Sequence, residues 1–338
     1  MRELSRLTID GPRITALAFY SSWLVAVSKD ALHMIDLSDP QQPVPRARLA
    51  LEYGTGDPFT GTLLTVDGPL VVASRIDHQG TIDIFGASSL AQPYARSSLR
   101  PADIPGGPDH VLEEMELRGS LLYLFYRDRL VTVDLAIPGR PQVLGHVMLE
   151  GSHAKFALSG RHVVTVNSRQ GSRLVLVDKI LFTSYWPGHL HSVPIGPPLD
   201  EMALEATLPK PSGITVLEGL VHVCAHDGLH AYTLAGGRLT ERSIVPILTE
   251  RRCSNPLAGW SAGRYFVAFT TLTHELHVFD LTNLDDPIRA AQLPLVQYGN
   301  QLDFLGDDLL VASGGLLVYQ REAAYTPTHH RFLPWLAR

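Results

Sequence analysis

A chain of 338 residues with 45% hydrophobic and 18% charged side chains can bury a large core, and so little charge argues against a long disordered tail. The formal net charge of −6, with no run of Lys or Arg longer than two, excludes nucleic acid as the main partner, because phosphate binding needs a basic face. No apolar run approaches the roughly 20 residues of a membrane span, and the opening MRELSRLTIDG lacks the apolar core of a signal peptide. Cys224 and Cys253 have no metal or redox spacing, so reduced thiols and a cytoplasmic location are the simplest expectation, with a disulfide between them left open.

In chain order, one kind of strand recurs: LHMIDL from Leu32, IDIFGA from Ile82, LVTVDL from Leu130, LVLVDK from Leu174, LHAYTL from Leu229, LHVFDL from Leu276 and LLVYQR from Leu316. The seven copies are spaced 50, 48, 44, 55, 47 and 40 residues apart. That period is the length of one four-stranded propeller blade, roughly 40–50 residues. Upstream of each copy lie two short apolar runs separated by Gly, Asp, Ser or Asn, the pattern of consecutive antiparallel hairpins. Downstream comes a turn that contains Pro in four copies (Asp39-Pro40, Pro93, Ile137-Pro138, Asp286-Pro287), then a more variable outer strand. With the strands lettered A to D from the axis outward, the recurring strand is C. The segment PDHVLEEMELRG has some helical character, but its position matches strand A of the other copies.

These features predict an all-β fold: a seven-bladed β-propeller with four-stranded antiparallel blades, occupying residues 1–325, with a tail over 326–338. The opening RELSRLTIDG has the Arg and alternating Leu/Ile of the outer strands VPRARLALEYG and IRAAQLPLVQYG. Residues 2–10 are therefore expected to supply the outer strand of the last blade and so close the ring, removing a sheet edge.

The stretches LHMIDLSDPQQPVPRARL, LVTVDLAIPGRPQVLGHV and LHVFDLTNLDDPIRAAQL resemble the LVIVD repeat of bacterial β-propellers. The other four copies lose the Asp or the Asp-Pro. The resemblance implies a binding or scaffolding module with no catalytic motif; many members of that family are exported.

The recurring Asp36, Asp134, Asp178 and Asp280 are expected to cap backbone N–H groups of the C–D turn, since a catalytic residue needs no repetition around a ring. His33, His230 and His277 share the second position of strand C and are read as repeat features packed in the scaffold. The chain has 15 histidines, and those of interest for binding fall on loops of one face. The B–C loops carry His78, His226, Asp227 and His274, and the D–A loops carry Asp57, Asp109, His110 and His153. Converging His and Asp at a channel mouth can hold a divalent metal, yet no pair has dedicated ligand spacing, so no metal and no cofactor is assigned. Ordinary solvated loop residues or a metal-free polar site for a small molecule remain the other readings. The scattered Arg169, Arg173, Arg251 and Arg252 read as solvated loop charges. No GxSxG, P-loop, HExxH or GxGxxG context occurs.

On the opposite face, the C–D loop KILFTSYWPGHL carries Phe182, Tyr185 and Trp186, and the tail carries Phe332 and Trp335. Aromatics on a loop either pack on a neighbouring blade or anchor a partner. The expected function is a non-enzymatic scaffold that binds a protein or peptide through variable loops. The alternative is an enzyme whose metal-assisted or small-polar-substrate site lies at the channel mouth.

Overall fold

The computed structural model describes residues 2–7, 14–28, 30–39, 41–51, 63–74, 80–87, 92–104, 112–126, 129–148, 153–159, 162–167, 173–178, 202–207, 213–225, 227–235, 238–246, 253–261, 264–271, 275–295, 301–305, 308–312 and 316–320. Among these the regular structure is strand, apart from one short 3₁₀ turn at Pro101–Asp103. The strands assemble into antiparallel sheets of four.

The first sheet in the chain runs β2 (Ile14–Tyr20), β3 (Trp23–Ser28), β4 (Ala31–Asp36) and β5 (Val44–Ala50). Next come β6 (Leu64–Asp67), β7 (Leu70–Ser74), β8 (Ile82–Ala87) and β9 (Pro93–Leu99), followed by β10 (Leu112–Arg118), β11 (Leu121–Tyr126), β12 (Arg129–Asp134) and β13 (Gln142–Met148). The segment with helical character is thus strand β10. A fourth set comprises β14 (His153–Ser159), β15 (His162–Asn167), β16 (Arg173–Asp178) and β17 (Met202–Thr207). A fifth comprises β18 (Gly213–Leu217), β19 (Leu220–Cys224), β20 (Gly228–Ala235) and β21 (Arg238–Pro246). The sixth comprises β22 (Cys253–Ser261), β23 (Arg264–Thr271), β24 (Glu275–Asp280) and β25 (Ile288–Pro294). In the remaining sheet β26 (Gln301–Leu305), β27 (Asp308–Ala312) and β28 (Leu316–Gln320) are joined at the edge by β1 (Arg2–Leu7), with Arg2 opposite Gln320 and Leu7 opposite Leu316.

Successive first strands touch in chain order, β2 to β6 to β10 to β14 to β18 to β22 to β26, and β26 also touches β2. The architecture is a β-propeller built from such four-stranded blades.

The burial pattern explains why the inner strands read as continuous apolar runs. WLVAV of β3, LVVAS of β7 and LLYLFY of β11 are buried on both faces, because each sheet is covered by a neighbour on either side. Outer strands such as β5 face solvent on alternate positions and carry the arginines and prolines. Pro is tolerated there because its missing N–H falls on an open edge, at a bulge or at a strand end. Pro45 follows the register shift between Met34 and Ile35, Pro93 opens β9, and Pro294 closes β25.

The core lies between sheets. Leu70, Val72, Ile82 and Ile84 pack with Met115, Leu117, Leu122, Leu124 and Tyr126 of the next sheet. Leu7 of the N-terminal strand packs against the group of Leu17, Leu24, Ala26, Ile35 and Leu37. Polar pins run along the inner strands as well: Leu117 N donates to Thr65 Oγ1 at 3.0 Å, Gly119 N to Asp67 Oδ2 at 2.6 Å, and Phe156 N to the Glu114 carboxylate at 3.0 Å. Gly119, with φ +60°, occupies a left-handed turn position that lets its N–H reach the preceding sheet.

The recurring aspartates are turn caps. Asp36 Oδ1 accepts from Ser38 N and Oγ at 2.9 and 2.6 Å, Asp134 Oδ1 from Ala136 N at 2.8 Å, and Asp280 Oδ1 from Thr282 N and Oγ1 at 3.0 and 2.6 Å. The Asp178 side chain lies outside what is described.

Because β1 is hydrogen-bonded to β28 and its Leu7 packs into the next sheet's core, removing residues 1–7 strips one strand and exposes apolar surface on two sheets. A drop of several degrees in Tm is expected for that deletion, measured by calorimetry; an unchanged Tm would contradict this role for β1.

Candidate functional site

Most loop residues singled out from sequence lie outside the described residues: Asp57, His78, Asp109, His110, His226 and His274, expected at the channel mouth, and Phe182, Tyr185, Trp186, Phe332 and Trp335 of the expected aromatic loop and tail. His153 is the first residue of β14, paired in register with Asn167. Asp227 is fully described. It sits in the tight turn between β19 and β20, where Ala225 and Gly228 exchange backbone hydrogen bonds of 2.8 and 3.3 Å. Gly228 is required there, since a Cβ would stand 2.2 Å from the Val245 carbonyl oxygen.

Asp227 is not an isolated loop carboxylate. Its Oδ1 lies 2.9 Å from Nε2 of His230, whose Nδ1 is 3.0 Å from Glu241 Oε1 on the outer strand β21. The imidazole is almost fully buried while both carboxylates are half-exposed, at 46% each. Both ring nitrogens are therefore engaged, and His230 offers no free lone pair for a metal or a substrate proton.

The same position is furnished in other sheets. His33 Nε2 is 3.1 Å from Ser28 Oγ, which donates to Asp30 Oδ1 at 2.6 Å, and Arg48 on β5 donates to Asp30 Oδ2 at 2.5 Å. His277 stacks on Phe269 with centroids 5.2 Å apart and lies 3.4 Å from Glu275 Oε2, whose other oxygen accepts from Gln292 at 3.3 Å. In the second sheet Asp83 replaces the histidine and accepts from Ser98 Oγ at 2.7 Å. Each arrangement ties the B–C turn or strand C to outer strand D. The strand-C histidines are thus buried scaffold residues, and the carboxylates beside them are more exposed than the rings.

Burial sets the electrostatics. His33 is pulled below its ordinary value by desolvation first and then by the Arg48 charge, with Asp30 opposing. Asp30 is held low chiefly by the Ser28 hydroxyl and Asp36 chiefly by Ser38. At the interface between the fifth and sixth sheets, His222 donates or accepts at Nε2 with Tyr265 Oη at 2.9 Å, while its Nδ1 is buried with no partner. Burial pulls this imidazole down to about 3 and pushes the Tyr265 phenol up.

Cys224 is fully buried and disulfide-bonded, which departs from the reduced thiols expected from spacing alone. Among the described residues no group of three His, Cys, Asp or Glu is arranged to hold a metal ion, and no helix is long and apolar enough to cross a membrane.

Sequence reasoning missed that turn acids and strand-C histidines form one unit. The signal was present as an acidic residue two or three positions before the histidine: Asp30 and His33, Asp227 and His230, Glu275 and His277.

No family model matches the chain, and no curated protein matches it by sequence. Solved structures do match its fold. The β-propeller domain of Cps50 (Swd1) from Myceliophteria thermophila has a TM-score of 0.64 at 14% identity, over 95% of this chain and 100% of that one. The computationally designed Ika8 protein has a TM-score of 0.59, also at 14% identity and with the same coverage. The class so defined is a β-propeller of four-stranded antiparallel blades.

The His222 imidazole makes stability pH-dependent with a definite sign. Its folded value lies below the ordinary 6.5, so between about pH 6.5 and 3 the unfolded chain binds more protons than the folded one. Stability is present in full above that window and falls as pH drops through it, by up to about 1.4 kcal/mol per pH unit. Denaturant melts of the wild type and of His222→Phe at pH 7 and pH 4.5 should show a smaller acid loss in the variant; equal losses would contradict this assignment.

Proposed function

We propose that the seven sheets act as the blades of one ring closed by the N-terminal strand, within a single domain of residues 1–325, and that this ring is a non-enzymatic scaffold binding a protein or peptide. The observation that carries the reading is the use made of the polar residues. The strand-C histidines and their carboxylates are committed to pairs within a blade, as in the fully engaged His230. Such locks stiffen the roots of the turns, and a rigid ring that presents variable loops is suited to recognition. The circuit of contacts from β2 through β26 and back, and the pairing of β1 with β28, support the closed ring. The LVIVD-like repeat points the same way. Aromatic residues are the natural anchors of a partner, since a few Trp and Tyr side chains carry most of the energy in many interfaces.

The test is an affinity capture from native extract with the full chain and with Tyr185→Ala/Trp186→Ala. The expected result is a saturable partner whose affinity falls about tenfold or more in the variant. Capture of no partner, or turnover of a small substrate by the purified chain, would overturn the scaffold reading.

A further inference from the structure

The bonded sulfur of Cys224 has a short list of partners. Cys224 is the last residue of β19 and has 0% exposure. It packs in one cluster with Leu229, Ala231 and Val245 of its own sheet and with Tyr265, Val267 and Phe269 of the next. A sulfur at that depth cannot reach a second molecule, so its partner lies in the same chain. The sequence holds two cysteines, and the other is Cys253, the first residue of β22. Strand β22 is the first strand of that next sheet, and β19 touches it.

We infer that Cys224 and Cys253 form one intrachain disulfide that staples the fifth blade to the sixth beneath the channel-mouth face. The inference stands apart from the binding reading. Cys224 leads directly into the turn that carries His226 and Asp227, and Cys253 follows the segment ILTERR at 247–252. The bond therefore ties the root of a B–C turn to the root of a D–A loop. It closes a loop of roughly thirty residues, restricting the unfolded chain more than a short loop would.

In forming it, the two thiols lose two protons and two electrons to a disulfide-bearing oxidoreductase. One S–S bond forms here as the oxidant's own S–S bond becomes a dithiol. A bond of this kind persists where thiols are oxidised and is rare in the cytosol. The folded protein accordingly works in an oxidising setting, against the cytoplasmic expectation from composition.

The test begins with protein taken from its native cells by acid quench. It is unfolded in denaturant with a thiol alkylating reagent, with and without prior reduction. The expected result is no adduct without reductant, two adducts after reduction, and a cross-linked peptide pair containing residues 224 and 253. Two adducts without reductant, or a disulfide-linked dimer on a non-reducing gel, would overturn the inference. Variants add a second readout. Cys224→Ala, Cys253→Ala and the double variant should each lose about the same Tm, on the order of 5 °C, because either change removes the same bond. Additive losses, or an unchanged Tm in Cys253→Ala, would overturn it as well.

Discussion

Leu122, Leu124 and Tyr126 of one sheet meet Leu70, Val72, Ile82 and Ile84 of the next, and this face-to-face burial between neighbouring sheets is the constraint on which the rest of the molecule depends. A four-stranded sheet exposes two faces, and the inner strands here are apolar on both. Each fully buried Leu, Val or Phe contributes roughly 1.5–3 kcal/mol relative to exposure, and a sheet obtains that contribution only when covered on either side. No sheet can therefore be stable by itself, and the period of the sequence follows from the period of the packing. Between sheets, the hydrogen bonds from Leu117 N to Thr65 and Gly119 N to Asp67, and the one between His222 and Tyr265, pin one sheet to the next.

Polar residues serve that packing before they serve a ligand. The strand-C aspartates take up backbone N–H groups at the C–D turn, and the strand-C histidines bind the B–C turn to the outer strand. Arg46 pairs with Asp36 at 2.9 Å, and Arg242 of one sheet pairs with Asp285 of the next at 2.7 Å. These exposed pairs add little energy individually, yet they give the outer strands a fixed register against sheets whose cores are nearly interchangeable aliphatic surfaces.

The architecture was legible because it is written several times over. Alternation is absent in the inner strands and present in the outer ones, and an Asp at the end of strand C marks the outward turn in four of the copies. Even the pairing of Arg2–Leu7 with β28 was readable from a likeness to the other outer strands. Two features were not legible. The joint role of Asp227, His230 and Glu241 depends on Glu241 lying across a hairpin, which spacing does not report. The bonding of Cys224 depends on two strands of different sheets lying side by side, and a pair of cysteines twenty-nine positions apart carries no sign of it. Loop residues such as His78 and His274 differ from copy to copy, so periodicity gives them a place on a face and no partner.

The central claim is that burial between sheets makes the sheets interdependent, and native-state hydrogen exchange at increasing denaturant tests it most directly. The account predicts that amides of the inner strands β3, β7, β11, β19 and β23 converge on one opening free energy and lose protection together as denaturant rises. If one sheet opened and exchanged at low denaturant while its neighbours kept full protection, the sheets would be stable alone, and the account would be contradicted.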